Sequence, residues 1–224
     1  MYQMQVIARV RSPFAEKFGI PRQSGVAGAV RAQVIFEPAF RNPDAIRGLD
    51  GFSHIWLIWQ FSQAVRENWS PTVRPPRLGG NARMGVFATR SPFRPNALGL
   101  SSVRLDRVEM DDTLGPVLHV SGADLMDGTP IFDIKPYLAY TDSHPEAIGG
   151  FTDAAEMTRL AVTLPDGALD RLAPEHRSGL LAVLENDPRP PYQDDPWRVY
   201  GLTFAGHNVK FTVEGKRLTV LEVQ

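Results

Sequence analysis

The sequence predicts a mainly β protein, with a single-sheet antiparallel β-barrel in its N-terminal domain and a smaller α+β C-terminal domain. Short segments of apolar or alternating residues recur along the first part of the chain, and turn residues separate them. No helical period intervenes between these segments, which disfavours an array of strands and helices around a parallel sheet. We therefore predict a barrel domain over residues 1–143 and an α+β domain over residues 144–224.

The barrel domain begins with a half-buried strand, because apolar and polar residues alternate from Met4 to Val10. Another strand is predicted at residues 31–37. The run from Ser53 to Phe61 is almost continuously apolar and rich in aromatic and β-branched residues, which predicts a central strand buried on both faces. Further strands are predicted at residues 84–89, 102–108, 117–121 and 132–137.

The composition changes in the C-terminal part of the chain. Residues 142–153 contain His-Pro and Gly-Gly and are predicted to form a linker or loop, followed by a strand at 157–164. Leucines recur at roughly helical spacing over 166–184, so a helix is predicted there, ended by the proline-rich residues 187–191. Strands joined by a hairpin complete the domain between residues 199 and 220.

Composition excludes several classes of site. The chain has 224 residues and a formal net charge of −1, so a nucleic-acid site must come from a local patch. It has no cysteine, which excludes disulfides, thiolate catalysis and cysteine-held metals; the five histidines show no ligand spacing, so no metal site is predicted. The sequence has no signal-peptide pattern and no apolar stretch of about 18 residues, which predicts a cytoplasmic protein without membrane contact.

One segment of the chain concentrates positive charge. No acidic residue stands between Glu67 and Asp106, and this interval holds Arg74, Arg77, Arg83, Arg90, Arg94 and Arg104. Arg90 and Arg94 belong to the sequence RSPFRPN, whose two prolines restrict the backbone to a rigid elbow. Because the guanidinium fork suits bidentate contacts, the segment indicates a phosphate or carboxylate site. A solvated surface with salt bridges explains the charges alone equally well.

A second candidate site follows the turn signal at Asp127 and Gly128. The alternating segment after it would place Asp133, Lys135 and Tyr137 on one face of a short strand. Side chains of these three types can tune one another's pKa and handle a proton. Periodicity alone favours the other interpretation, an exposed strand face with an ordinary Asp–Lys ion pair.

Five ordered segments, several of them longer than ten residues, resemble the TsaA/YaeB-like family, whose characterised members are TrmO-type tRNA methyltransferases. The segments are PRQSG from Pro21, RGLDGFSHIW from Arg47, RPPRLGG from Arg74, residues 85–101 and residues 124–137. The sequence DPRPPY from Asp187 also looks like an element of longer bacterial members. The resemblance covers almost the whole chain.

The resemblance implies an enzyme that uses S-adenosyl-L-methionine to methylate N6 of N6-threonylcarbamoyladenosine, next to the anticodon of threonine-type tRNA. It also implies a single-sheet β-barrel that works as a homodimer, with a C-terminal domain that contacts tRNA and with no DNA partner. The chain lacks a Rossmann glycine motif, which agrees with a methyltransferase of this unusual fold.

The resemblance also assigns roles to particular positions. The cofactor-binding positions are Gln23, Ser24, Gly25, Val26, Ser62, Gln63, Arg90, Ser102, Asp124, Leu125, Met126 and Asp127. Arg74, Arg77, Arg83 and Arg94 are the candidate RNA contacts. Asp133, Lys135 and Tyr137 fall beside the methyl-transfer site as catalytic candidates, and which of them accepts a proton stays open. Ser62 departs from the histidine that some relatives have before the glutamine.

Two other functions remain as alternatives. A non-catalytic RNA-binding module could use the arginines and exposed aromatic side chains, and it would bind RNA without affinity for the cofactor. A methyltransferase of the same fold could act on another RNA or on a small molecule, and it would bind the cofactor without turning over tRNA.

Overall fold

A computed structural model describes residues 3–75, 78, 82–153, 159–190, 193 and 195–224. The first domain is a closed barrel of six strands, in which every neighbouring pair is antiparallel and the order around the barrel is β1-β2-β7-β6-β3-β8. The barrel strands are β1 (Ala8–Arg11), β2 (Arg31–Phe36), β3 (His54–Gln60), β6 (Leu98–Asp111), β7 (Gly115–Ser121) and β8 (Pro130–Pro136). The predicted single-sheet barrel is therefore confirmed.

Side chains that point into the barrel form its core, which includes Val34, Ile55, Leu57, Val103 and Leu118. Strand β3 contributes every second residue to this core, since Ile55, Leu57 and Trp59 are buried while the residues between them are half-buried. The prediction that this strand is buried on both faces was wrong. The outward residues are only partly covered: Trp56 packs against the ring of Tyr137, and its indole N–H donates to Asp142 at 2.9 Å.

A short two-stranded ribbon lies outside the barrel, formed by β4 (Thr72–Val73) and β5 (Met84–Gly85). The predicted strand at 84–89 was wrong beyond Gly85, because Val86–Ala88 forms a turn of 3₁₀-helix. The backbone N–H and the side-chain hydroxyl of Thr89 both donate to the carbonyl of Val86, at 3.2 and 2.9 Å, and these bonds close the turn just before the arginine elbow.

The second domain is a four-stranded sheet with a helix, in the strand order β10-β11-β12-β9. Its elements are β9 (Ala161–Thr163), α2 (Pro174–Glu185), β10 (Tyr200–Phe204), β11 (His207–Glu214) and β12 (Arg217–Val223); a single turn, α1 (Ala139–Asp142), precedes it. The first two residues of the strand predicted at 157–164 lie outside the described residues. The predicted hairpin is present as β11 and β12.

The predicted helix at 166–184 is divided in the structure. A 3₁₀ turn covers Ala168–Arg171, and the α-helix begins only at Pro174. Proline is favoured in the first turn of a helix and disfavoured inside it, because it has no N–H to donate to the preceding turn. Leucine spacing alone does not reveal that break.

The second core draws residues from both ends of the chain. Phe14, Ala27 and Val30, which precede β2, are buried together with Leu180 of α2 and Phe204 of β10. The backbone N–H of Ala205 also donates to the carbonyl of Pro13 at 2.8 Å. The segment between β1 and β2 therefore packs against the C-terminal sheet and helix.

Candidate functional site

A cavity of about 790 Å³ opens where β3 ends and β6 begins. Its walls come from residues 20–24, from Trp56 and residues 59–64, from the elbow at 89–94, from residues 98–100 and Ser102 at the start of β6, and from Asp124, Met126 and Thr129 after β7. Volumes of this order are typical of sites for small ligands and cofactors. Segments that are far apart in the sequence thus share one concave surface.

The elbow contributes an arginine to this cavity. The guanidinium of Arg90 lies in the wall and donates a hydrogen bond to the amide oxygen of Gln23 on the facing segment. Arg90 is exposed to solvent at the cavity surface. A ligand carboxylate could therefore reach a guanidinium whose position is set by the rigid backbone on one side and by Gln23 on the other.

Arg94, the second arginine of the elbow, makes its hydrogen bonds within the loop itself. Nη1 of Arg94 donates to the backbone carbonyl of Thr89 at 2.7 Å and lies 3.4 Å from the carbonyl of Ser91. These bonds run within the elbow itself, so Arg94 stabilises the loop that presents Arg90. Arg94 also lines the cavity. Its predicted contact with RNA stays a prediction.

Asp124 supplies negative charge to the cavity wall. Its Oδ1 accepts a hydrogen bond of 2.7 Å from the hydroxyl of Ser101, which in turn accepts one of 3.0 Å from the indole nitrogen of Trp59. Burial raises the pKa of Asp124 above its usual value, and the hydrogen bond from Ser101 acts in the opposite direction. A carboxyl group with these properties suits an amine or hydroxyl of a ligand.

Eight of the twelve positions assigned to the cofactor line the cavity: Gln23, Ser24, Ser62, Gln63, Arg90, Ser102, Asp124 and Met126. The other four have different partners. The N–H of Gly25 donates to Gly122, the carbonyl of Val26 accepts from Asn186, Leu125 is buried in the barrel core, and Asp127 accepts from the N–H of Ser12. For these four, contact with the cofactor stays a prediction of the resemblance.

The three catalytic candidates lie on the outer face of the barrel. Nζ of Lys135 is 3.0 Å from Oδ2 of Asp133, and both side chains are about half exposed. The ring of Tyr137 packs against Trp56, with ring centroids 5.6 Å apart. Trp56 is the residue opposite Lys135 in the pairing of β3 with β8, and it also lines the cavity. The outer face and the cavity therefore meet at this indole.

The remaining RNA candidates lie in the arginine-rich segment. Arg74 and Arg83 are exposed, and Arg77 lies outside the described residues. The same segment holds two exposed rings that form a pair, Trp69 and Phe87, with centroids 6.1 Å apart and exposures of 51% and 73%. Exposed aromatic faces among arginines are typical of sites for unpaired nucleotides.

The sequence motifs did not indicate a role at the site for Ser101 or for Trp59. In the structure Trp59 is both a core residue and part of the cavity wall. The available signal was the position of Ser101 two residues before Val103, because alternation along a strand places both on the same face and a buried hydroxyl needs a partner.

Within the described ranges, no three His, Asp or Glu side chains are grouped so that they could hold a metal ion. No helix in the described part of the chain is long and apolar enough to cross a membrane.

Family models match both parts of this fold, the barrel with its lateral cavity and the α+β domain. The family model of the tRNA-methyltransferase O N-terminal domain matches residues 9–143, and that of the TrmO C-terminal domain matches residues 158–224. The chain therefore belongs to the tRNA-methyltransferase O family.

Similar proteins of bacteria are named tRNA (adenine(37)-N6)-methyltransferase or TrmO. A tRNA (adenine(37)-N6)-methyltransferase of Escherichia coli is 39% identical over 220 residues, covering 95% of this chain and 93% of that protein. One of Eikenella corrodens is 44% identical over 171 residues, covering 76% and 96% of the two chains. A crystal structure of TrmO from Pseudomonas aeruginosa superposes with a TM-score of 0.80 at 34% identity, covering 100% of this chain and 99% of that one.

Proposed function

We propose that this protein methylates N6 of adenosine 37 of tRNA with S-adenosyl-L-methionine as methyl donor, and that the adenosine already carries the threonylcarbamoyl group. The observation that carries the proposal is the cavity in which Arg90 and Asp124 face one volume, beside a chain segment rich in arginine and free of acidic residues. Membership of the tRNA-methyltransferase O family supports the class of reaction. The proposal includes a cytoplasmic location, where tRNA is modified.

The chemistry of the cavity fits this cofactor. S-adenosyl-L-methionine offers a carboxylate, an ammonium group, ribose hydroxyls and an adenine ring. Arg90 would bind the carboxylate, and Asp124 would accept a hydrogen bond from an amine or hydroxyl. Trp59, Phe61 and Phe93 supply aromatic surface for the adenine. When bound, the cofactor supplies an electrophilic methyl group to a nucleophile held in line with it.

The protein's part in the reaction is to position the adenosine and to assist loss of its N6 proton. A nitrogen of urea type is a poor nucleophile until that proton leaves. We propose that the face formed by Asp133, Lys135 and Tyr137 serves this step, with the target base entering at Trp56, where this face meets the cavity. Asp133 or Tyr137 would accept the proton, and Lys135 would stabilise the anion or hold a phosphate or the threonyl carboxylate.

The tRNA is proposed to lie along the arginine-rich segment. Arg74 and Arg83 would contact phosphates, together with Arg77. The exposed pair Trp69–Phe87 would stack an unpaired base of the anticodon loop, since every base offers a π-face to an aromatic side chain. Phosphate contacts set affinity and its dependence on salt, while stacking favours single-stranded nucleotides.

Two further features belong to the proposal. The active unit is a homodimer, because the cavity is open to solvent and the loops around it are short relative to a cofactor and an anticodon loop together. The domain division falls at residue 143, and the C-terminal domain at 144–224 contacts tRNA. The two family models, which match residues 9–143 and 158–224, support the division of the chain into these two domains.

The proposal is tested by incubating the purified protein with S-adenosyl-L-methionine labelled at the methyl group and with threonine tRNA that carries or lacks the threonylcarbamoyl group. We expect label in the digested nucleoside N6-methyl-N6-threonylcarbamoyladenosine, and none with a matched tRNA that has guanosine at position 37. Label in unmodified adenosine would contradict the finer substrate assignment. Salt-dependent RNA binding without cofactor binding would indicate the RNA-binding module, and cofactor binding without labelled tRNA would indicate another substrate.

A further inference from the structure

The hydroxyl of Ser101 is an unusual polar group in the barrel interior. Ser101 is 1% exposed, and it and Thr129 are the only buried residues with a hydroxyl, amide or charged group on an aliphatic side chain within the described part of the chain. Ser101 lies opposite Leu57 in the pairing of β3 with β6, so it points into the core. A buried hydroxyl costs free energy unless both its donor and its acceptor sites are used.

Both sites of this hydroxyl are used, and its direction follows from its partners. The indole nitrogen of Trp59 can only donate, so Oγ of Ser101 accepts the bond of 3.0 Å from it. The single proton of the hydroxyl then goes to Oδ1 of Asp124 at 2.7 Å. Trp59, Ser101 and Asp124 therefore form a one-way chain of donors that ends on the carboxylate.

Gly99 makes this chain of donors sterically possible. It lies directly opposite Trp59 in the pairing of β3 with β6, and a β-carbon at this position would be 2.2 Å from Cε2 of the indole. The indole is also held by Phe61, whose ring centroid is 4.2 Å away in an edge-on arrangement. With no side chain at Gly99, the indole crosses the strand and reaches Ser101 two residues further along.

Asp124 stands in an otherwise cationic environment. It supplies the only carboxylate among the described residues that line the cavity, whose other charged side chains are Lys17, Arg22, Arg90 and Arg94. The backbone of Ser24 and the charge of Arg90 favour ionised Asp124, while its burial disfavours ionisation. No histidine or tyrosine lines the described part of the cavity wall.

We propose that Ser101 is a positioning residue that holds Asp124 ionised and turned towards the cavity, so that this carboxylate can bind a hydrogen-bond donor of the cofactor. Ser101 acts through Asp124 and does not itself line the cavity. The inference rests on the proposed function, because it assigns the cavity to S-adenosyl-L-methionine. It identifies the hydrogen bond from Ser101 as a cause that favours the ionised form of Asp124.

The first experiment follows the carboxyl ¹³C signal of Asp124 against pH in the ligand-free protein. Removing the donor in Ser101→Ala should move the titration of Asp124 to higher pH, because the ionised form loses its hydrogen bond. Ser101→Thr keeps the hydroxyl and should restore the wild-type curve. Trp59→Phe leaves the serine proton free to turn elsewhere, so its curve should lie between those of wild type and Ser101→Ala. Identical curves for folded wild type and Ser101→Ala would overturn the inference.

The second experiment measures the affinity for S-adenosyl-L-methionine by calorimetry over the same pH range. Affinity should fall as pH decreases through the titration of Asp124. In Ser101→Ala this fall in affinity, the acid limb of the affinity curve, should occur at higher pH. At the pH where the wild-type Asp124 is half protonated, the variant should bind the cofactor about tenfold more weakly than the wild type. At pH values above both titrations the difference between the two proteins should become smaller, and the part of it that remains reports the lost orientation of the Asp124 carboxylate. Asp124→Asn should bind weakly and lack the limb.

The two measurements separate this inference from the proposed function. If the wild type bound no S-adenosyl-L-methionine, the cofactor assignment would fail even though the titration of Asp124 still responded to Ser101→Ala. If the wild type bound the cofactor but the limb stayed in place in Ser101→Ala, Ser101 would be a packing residue. Ser101→Thr distinguishes a lost hydroxyl from a general disturbance of the barrel, since only loss of the hydroxyl is reversed by threonine.

Discussion

Arg90 and Arg94 belong to one proline-bounded elbow and both line the cavity, yet their side chains have different hydrogen-bond partners. Arg94 donates to the backbone carbonyl of Thr89 within the elbow, while Arg90 donates to the side chain of Gln23 on the facing segment. The rigidity of the elbow thus serves the presentation of one guanidinium. The charge pattern of the sequence does not distinguish the two arginines, whereas their hydrogen bonds in the structure do.

Replacing Arg90 by alanine should weaken the binding of S-adenosyl-L-methionine by about 1.5–3 kcal/mol, the usual value of a hydrogen bond to a charged group. Calorimetry on the folded variant measures this loss. Arg104→Ala is the matched control, because Arg104 belongs to the same acid-free segment but lies 3.5 Å from Asp106 and away from the cavity. Equal affinities for wild type and Arg90→Ala would remove Arg90 from the cofactor site.

Substitutions on the outer face of the barrel should slow the chemical step and leave cofactor binding intact. Lys135→Ala and Tyr137→Phe are expected to lower the single-turnover rate by about 10²–10⁴-fold, which is the usual scale of general acid–base assistance. Calorimetry should show nearly unchanged binding of S-adenosyl-L-methionine in both variants, since neither side chain lines the cavity.

Lys210→Ala is the control for losing an ion-paired, partly exposed lysine, because Lys210 pairs with Glu222 in the C-terminal sheet and not on the candidate catalytic face. Wild-type single-turnover rates in folded Lys135→Ala and Tyr137→Phe, with only their thermal stability reduced, would assign this face to packing and RNA positioning. The base would then be sought first at His54, whose ring centroid is 6.1 Å from that of Tyr137.

At the scale of elements, the pairing of β3 with β6 connects the barrel core to the site. Trp59 and Gly99 face each other across this pair, and both also line the cavity. The large residue fits because its opposite neighbour has no side chain. The pairing therefore fixes both the closure of the barrel and the direction of the indole N–H.

Gly99→Ala should destabilise the protein by about 1–3 kcal/mol, the usual cost of an added methyl group in a packed core. The added β-carbon would collide with the indole of Trp59 at 2.2 Å, so the ring has to move. Denaturant unfolding followed by tryptophan fluorescence measures the change. Gly85→Ala is the control, since its added β-carbon would have no neighbour within 4 Å and its φ is −56°. Equal destabilisation of the two variants would contradict the packing argument.

At the scale of the whole molecule, the two cores are connected by the N-terminal chain. Phe14 and Val30 are buried with the C-terminal sheet, and the segment that contains them also supplies Gln23 and Ser24 to the cavity. The C-terminal part of the molecule thus helps to hold one wall of a site that lies at the barrel. A change in its packing would reach the cavity through this segment.

We expect the active protein to be a homodimer in solution. Light scattering at the concentration of the activity assay should give twice the mass of one chain, because the open cavity needs additional surface to enclose the cofactor and an anticodon loop. Dilution until the dimer dissociates should abolish tRNA methylation. The separated subunits should stay folded, as an unfolding transition measured on the diluted protein would show. A fully active monomer at that concentration would overturn the expectation.

Much of the architecture could be predicted from local sequence. Period-two alternation located β1, the apolar run located β3, and the glycine turn after Glu214 located the hairpin of β11 and β12. The errors fell where a local signal was ambiguous. A continuous apolar run does not say whether a strand is covered on one face or two, and leucine spacing did not show that the helix begins only at Pro174.

The sequence by itself determined the fold class and the family, and its motifs named eight cofactor candidates that line the cavity, because these depend on local periodicity and on ordered motifs. Only the tertiary structure decided what each side chain does there. Gln23, Trp59, Arg90, Ser101 and Asp124 are separated by long stretches of chain, and their hydrogen bonds exist only once the barrel has closed. Which serine of the pair Ser101–Ser102 faces the core follows from the pairing of β6 with β3, and that pairing is a property of the folded barrel.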